Sequence, residues 1–88
     1  MTEALDARRK RLRYRSTYTG TKETDLLLGA FADRHLGSLS DSDLDDYEHL
    51  LSIEDPRLYT WITGQETPPA EFDTPVLQML RDFKLTQA

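Results

Sequence analysis

No cysteine occurs anywhere in this chain, so neither a disulfide staple nor a thiolate metal site can hold it together. With 88 residues it makes one domain, and a domain that small buries only a modest fraction of its surface. Stability must therefore come from compact local packing. The hydrophobic pattern is helical: apolar residues recur three, four and seven positions apart, and no segment alternates with a period of two. These features predict an all-α fold, a small single-domain bundle of about five helices over residues 1–88, with about 1–8 allowed to be flexible. No internal repeat is present.

Punctuation along the chain marks the helices. The first segment, Glu3 to about Arg15, is helix-permissive and Arg-rich, with a thin apolar stripe from Leu5 and Leu12. Gly20, among Thr17, Thr19 and Thr21, breaks it. The second helix starts near Thr21, with Glu23 and Asp25 in a first turn where the helix dipole favours negative charge. Gly37 is placed to end it as a C′ residue. Ser40 is a good N-cap for the third, with Asp43 at N3 and a hydrophobic staple from Leu39 to Leu44. Asp55-Pro56 announces the fourth, and Gly64 ends it. Thr67-Pro68-Pro69-Ala70 is a stiff extended connector, and Thr74-Pro75 opens the last helix. The core is expected to contain Leu27, Phe31, Leu44, Tyr47, Leu51, Leu58, Ile62, Val76, Leu80 and Phe83.

A net charge of −5 conceals a polarised distribution. Seven of the eleven basic residues lie between Arg8 and Lys22, and seven of the sixteen acids between Asp41 and Asp55. Such a chain should be steered by the field of a charged partner. The stretch Arg8-Arg9-Lys10-Arg11-Leu12-Arg13-Tyr14-Arg15 can be a solvated helix face, a nucleic-acid-binding arm or a docking surface for an acidic protein. Overall acidity weighs against nucleic acid. No apolar run approaches the roughly 20 residues needed to cross a bilayer. The basic N-terminus could suggest a transit peptide, but Glu3 and Asp6 argue against one, so a cytoplasmic location is expected.

Chemistry-bearing motifs are sparse. His35 and His49 have no partner ligand at metal spacing beyond Asp45, four residues before His49. Asp41-Ser42-Asp43-Leu44-Asp45-Asp46 lacks the glycine and the bidentate glutamate of a calcium loop. There is no Gly-rich phosphate loop and no Ser-His-Asp arrangement. Catalysis by this chain alone, and stable binding of a flavin or metal, are not expected.

One resemblance is specific. Arg13-Tyr14-Arg15-Ser16, Thr19-Gly20-Thr21-Lys22-Glu23-Thr24-Asp25 and Leu26-Leu27-Leu28-Gly29-Ala30-Phe31 resemble the N-terminal half of the succinate dehydrogenase assembly factors, or flavinators, of bacterial type. Asp55-Pro56-Arg57-Leu58-Tyr59-Thr60-Trp61, Pro68-Pro69 and Val76-Leu77-Gln78-Met79-Leu80-Arg81-Asp82-Phe83 resemble the second half. The likeness runs from about Arg9 to Lys84, and it rests on the order and spacing of these segments together.

The resemblance implies a five-helix bundle that binds the flavoprotein subunit of succinate dehydrogenase, or of fumarate reductase, and promotes covalent attachment of FAD to a histidine of that subunit. It implies an assembly chaperone rather than an enzyme, acting on the client's FAD, and a monomer when free. The family signature Arg-Gly-x-x-Glu falls on Thr19-Gly20-Thr21-Lys22-Glu23: Gly20 and Glu23 match, and Thr19 stands where the arginine would be. Arg15 or Lys22 could supply a nearby cation, though lysine does not replace a bidentate arginine. The implied partner surface is Gly20, Glu23, Arg15, Lys22, Thr19 and Asp25, with Tyr59 and Trp61. Gly20 and Glu23 also admit a structural reading, as an N-cap and the N3 glutamate of a capping box. Tyr59 and Trp61 are more often core residues than contacts. Two apart, they cannot share one helix face, so at least one should be partly exposed and able to anchor an interface.

Overall fold

A computed structural model describes residues 4–53 and 57–86. Among the described residues there are five α-helices and no strand: α1 (Leu5–Ser16), α2 (Lys22–His35), α3 (Asp41–Leu51), α4 (Arg57–Ile62) and α5 (Pro75–Thr86). Single 3₁₀ turns, Leu36–Ser38 and Ala70–Phe72, precede α3 and α5. The expected Asp55-Pro56 cap lies outside the described residues.

The local signals do most of the placing. Ser40 Oγ accepts the Asp43 N–H at 3.2 Å, capping α3 as expected. Leu39 and Leu44, the proposed staple, are both buried. Thr74 Oγ1 accepts the Leu77 N–H at 3.3 Å, and Pro75 begins α5. Gly64 ends α4 with a φ of 78°, which lets the Gln65 N–H turn back to the Thr60 carbonyl at 2.9 Å. Pro69 is extended at φ −58° and ψ 153°, the conformation expected of the Pro-Pro connector. Gly37 departs from expectation. The chain runs from α2 into a 3₁₀ turn instead of stopping there, and Gly37 has no positive φ.

All the core positions expected from the helical spacing are buried, and two aromatic groups lie among them. Phe31 packs edge-on to Phe83 at 5.6 Å and against Tyr47 at 5.7 Å. Trp61 packs on Phe72 at 5.1 Å. Inside the first group Ser16 Oγ donates to the Leu12 carbonyl at 2.7 Å and lies 2.5 Å from the Tyr47 hydroxyl. With the serine proton already used, Tyr47 is the donor. Burial pushes the Tyr47 phenol up to about 12, against the opposing effect of the Ser16 contact.

The first helix docks in an unexpected way. Leu12 and Ser16 are its buried residues, and Leu5, read as part of an apolar stripe, is 40% exposed. Its arginines hold it instead. Arg8 reaches Asp45 at 2.5 Å and Glu48 at 3.2 Å, Arg11 reaches Glu48 at 3.1 Å, and Arg9 donates to the Leu39 carbonyl at 3.0 Å. Arg13 pairs with Asp33 of α2. The basic and acidic runs of the sequence thus meet each other within the molecule. A hydrogen bond from Arg11, then one from Arg8, holds the Glu48 carboxyl below its ordinary value against the effect of burial. The Asp45 contact raises Arg8 above its own.

Candidate functional site

The turn between α1 and α2 is built by three threonines and a glycine. Gly20 has a φ of 108°, a conformation open to glycine and strained for any residue with a Cβ. On one side of it, the Thr19 N–H and hydroxyl both donate to Asp25 Oδ1, each at 2.6 Å. On the other, Thr21 caps α2: its Oγ1 accepts the Thr24 N–H at 3.3 Å and donates to Thr24 Oγ1 at 2.7 Å. Asp25 is therefore occupied in fixing the turn, and Thr19 holds its position through that carboxylate.

This arrangement overturns the capping-box reading of Glu23. The cap is Thr21, so Glu23 sits second in the helix and cannot reach back to Gly20 as an N3 residue would. Its side chain is exposed and forms no hydrogen bond or ion pair among the described residues. The carboxylate stands at the positive end of a helix dipole, facing outward.

Tertiary packing brings a distant residue to it. Glu23, Leu26, Leu27, Tyr59 and Lys84 line one groove, formed where α2, α4 and α5 converge. Its volume, about 270 Å³, falls below the roughly 300–1,000 Å³ typical of small-molecule sites, and it is open. Its size and openness suit a few side chains of a partner. Of the two aromatics singled out in the sequence, Tyr59 is half-buried in this groove, and Trp61 is 1% exposed in the core. Trp61 offers no surface for an anchor, because its side of α4 is closed by Phe72.

The expected cations divide. Lys22 is exposed in the first turn of α2. Arg15 turns towards α3, where it donates to the Leu51 carbonyl at 3.4 Å and lies 3.9 Å from Glu48. Local sequence proximity to Gly20 could not reveal that direction. Sequence reasoning also missed Leu26, which is 66% exposed. A signal existed: in Leu26-Leu27-Leu28 three consecutive helical positions cannot all face one core. Both histidines pack on aromatic rings. His35 packs on Phe31 and Phe83, and His49 on Phe72 at 4.4 Å. Among the described residues no cluster of three metal-ligating side chains occurs.

Residues 10–84 match the family described as the flavinator of succinate dehydrogenase. The chain belongs to this family. It is 38% identical over 82 residues to the FAD assembly factor SdhE of Acetobacter pasteurianus, covering 92% of this chain and 75% of that one. It is 40% identical over 77 residues to the mitochondrial succinate dehydrogenase assembly factor 2 of Dictyostelium discoideum, covering 88% of this chain and 55% of that one. The corresponding protein of Candida glabrata is 39% identical over 87 residues, covering 94% and 57%. The chain thus spans three quarters of the bacterial relative's length but little more than half of the mitochondrial ones. Gly20 and Glu23, the two positions that resemble the family signature, lie at a turn of positive φ and in the first turn of α2 with an exposed side chain. No helix among the described residues is long and apolar enough to cross a membrane.

Proposed function

We propose that this chain is an assembly chaperone that binds the flavoprotein subunit of succinate dehydrogenase, and of fumarate reductase where present, and promotes covalent attachment of FAD. The observation that carries this reading is the family match across residues 10–84. The geometry agrees with it. A rigid turn presents Gly20 and an uncommitted Glu23 beside a groove sized for side chains.

Attachment requires the FAD methyl carbon and the acceptor histidine of the client to be held in reacting geometry. A helper can accelerate that step without catalytic groups by binding the competent conformation of the client more tightly than the others. A tenfold preference shifts that equilibrium by about 1.4 kcal/mol. On this reading the chain holds no cofactor of its own, and acts as a monomer in the compartment where its client matures. The rival reading, nucleic-acid binding through residues 8–15, loses support from the ion pairs that Arg8, Arg11 and Arg13 make with Asp45, Glu48 and Asp33. Those guanidiniums would have to leave their carboxylates to meet phosphates.

The test is co-expression of the client flavoprotein with and without this chain, in cells lacking any assembly factor of their own. In-gel flavin fluorescence of the denatured client reports covalent FAD. A strong band that depends on the chain is expected, and equal bands would refute the proposal.

A further inference from the structure

The groove at Glu23 does not end at Lys84. That lysine also lines a second groove, with Ile62, Gly64, Arg81 and Leu85, which continues along α5 beside the end of α4. Together they form one surface from the first turn of α2 to the last turn of α5. Two observations set it apart. First, Leu26 and Leu85 on its two grooves are 66% and 75% exposed, among the most exposed large apolar side chains of the described residues. Second, its two cations, one helical turn apart on α5, lie beside those leucines and have no carboxylate partner among the described residues. Arg8, Arg11, Arg13 and Arg15 all lie against carboxylates, whereas Lys84 has no ion pair among the described residues and Arg81 donates only to the Trp61 carbonyl, at 3.0 Å.

A chain with net charge −5 that leaves two neighbouring cations unpaired, beside exposed leucines, is complementary to an acidic segment with apolar side chains. We infer that the client flavoprotein is held along this whole surface, with an acidic, apolar-edged segment of the client lying over Lys84, Arg81 and Leu85 while Glu23 and Tyr59 engage it at the other end. This rests on the proposed function and extends it, because neither Lys84 nor Leu85 belongs to the signature turn. The Glu23 end supplies continuity, since both grooves share Lys84. The exposed leucines supply the desolvation that makes a contact bind rather than merely steer.

The experiment measures binding of purified client flavoprotein subunit to the full chain, by calorimetry, beside its covalent flavin yield. Lys84→Glu and Leu85→Ser are tested singly and together, with a thermal melt of each. Leu85 is exposed enough that its single variant should fold even if the lysine change disturbs α5. Lys10→Glu, on an exposed position of α1, alters net charge by the same amount and serves as the control. The inference expects the double variant to bind at least about tenfold more weakly with an unchanged melt, each single variant to lose part of that, and Lys10→Glu to bind as wild type. If the wild type binds and flavinylates while the α5 variants match it, this inference falls and the proposed function stands. Equal weakening by Lys10→Glu would mean long-range steering, not a groove contact, and would also overturn it. Sedimentation of the chain alone covers the remaining case: a wild-type dimer that the α5 variants abolish, with client binding intact, would make the surface a face between two copies and would overturn it as well. A wild-type chain that neither binds nor promotes flavinylation overturns both.

Discussion

At Glu23 the carboxylate stands in the first turn of α2, exposed and without a hydrogen-bond partner among the described residues. Its contribution to stability is therefore limited to the helix dipole, about 0.3–1 kcal/mol. Glu23→Gln should lower the melting temperature by no more than the several degrees that about 1 kcal/mol represents in a domain of this size, and lower client flavinylation sharply. Flavinylation at the wild-type level would show the side chain to be a bystander. Gly20→Val should damage both properties. A β-branched residue at a φ of 108° costs on the order of 1–3 kcal/mol, and the turn that aims Glu23 moves with it. A chemical denaturation curve measures the first loss, and in-gel flavin fluorescence the second. In the core, the Ser16–Tyr47 pair offers an asymmetric test. Tyr47→Phe leaves the Ser16 proton on the Leu12 carbonyl and should cost about 0.5–1.5 kcal/mol. Ser16→Ala strands a buried phenol hydroxyl and should cost more, about 1–3 kcal/mol, in the same denaturation measurement.

At the scale of elements, α1 is the helix whose attachment is least apolar. Three of its arginines converge on Glu48 of α3, whose carboxyl is held below its ordinary value of 4.5 by Arg11 and Arg8. A depressed carboxylate stabilises the fold fully above its unfolded value and loses that contribution as pH falls through the folded value. Glu48→Gln should thus lower the melting temperature at neutral pH, by an amount equivalent to about 1 kcal/mol or less because the side chain is 35% exposed. The gap between variant and wild type should close as the pH is taken below about 4.5, and should narrow in high salt. A gap independent of pH would assign the loss to packing. The same element marks the limit of what the sequence could disclose. Caps at Ser40 and Thr74, the glycine stop at Gly64 and the core spacing of α2, α3 and α5 are local signals, and each falls where it was read. The docking of α1 depends on which carboxylate each arginine meets across the bundle, and no local periodicity encodes that. For the same reason Arg15 was assigned to the turn although it reaches α3, and Trp61 to a surface although Phe72 covers it. Glu23 and Tyr59 were singled out separately, and only the convergence of α2, α4 and α5 places them in one groove.

For the whole molecule, the internal meeting of basic and acidic runs changes the account of partner binding. Four arginines of the basic run hold α1 against Asp45 and Glu48 of α3 and Asp33 of α2. The surface proposed to recognise a partner is smaller: an exposed glutamate beside the Gly20 turn, a half-buried tyrosine and the cations and leucines along α5. A chaperone built this way works by complementarity to one state of its client, so its effect should be on the rate of covalent attachment and should saturate with its concentration. The most direct measurement reconstitutes the step from purified parts. The client flavoprotein subunit, carrying FAD that is not yet covalently bound, is incubated with increasing amounts of this chain, and covalent flavin is followed over time by fluorescence of the denatured subunit. The expected result is a rate that rises with the chain and reaches a plateau. A rate identical at every concentration, including none, would contradict the account.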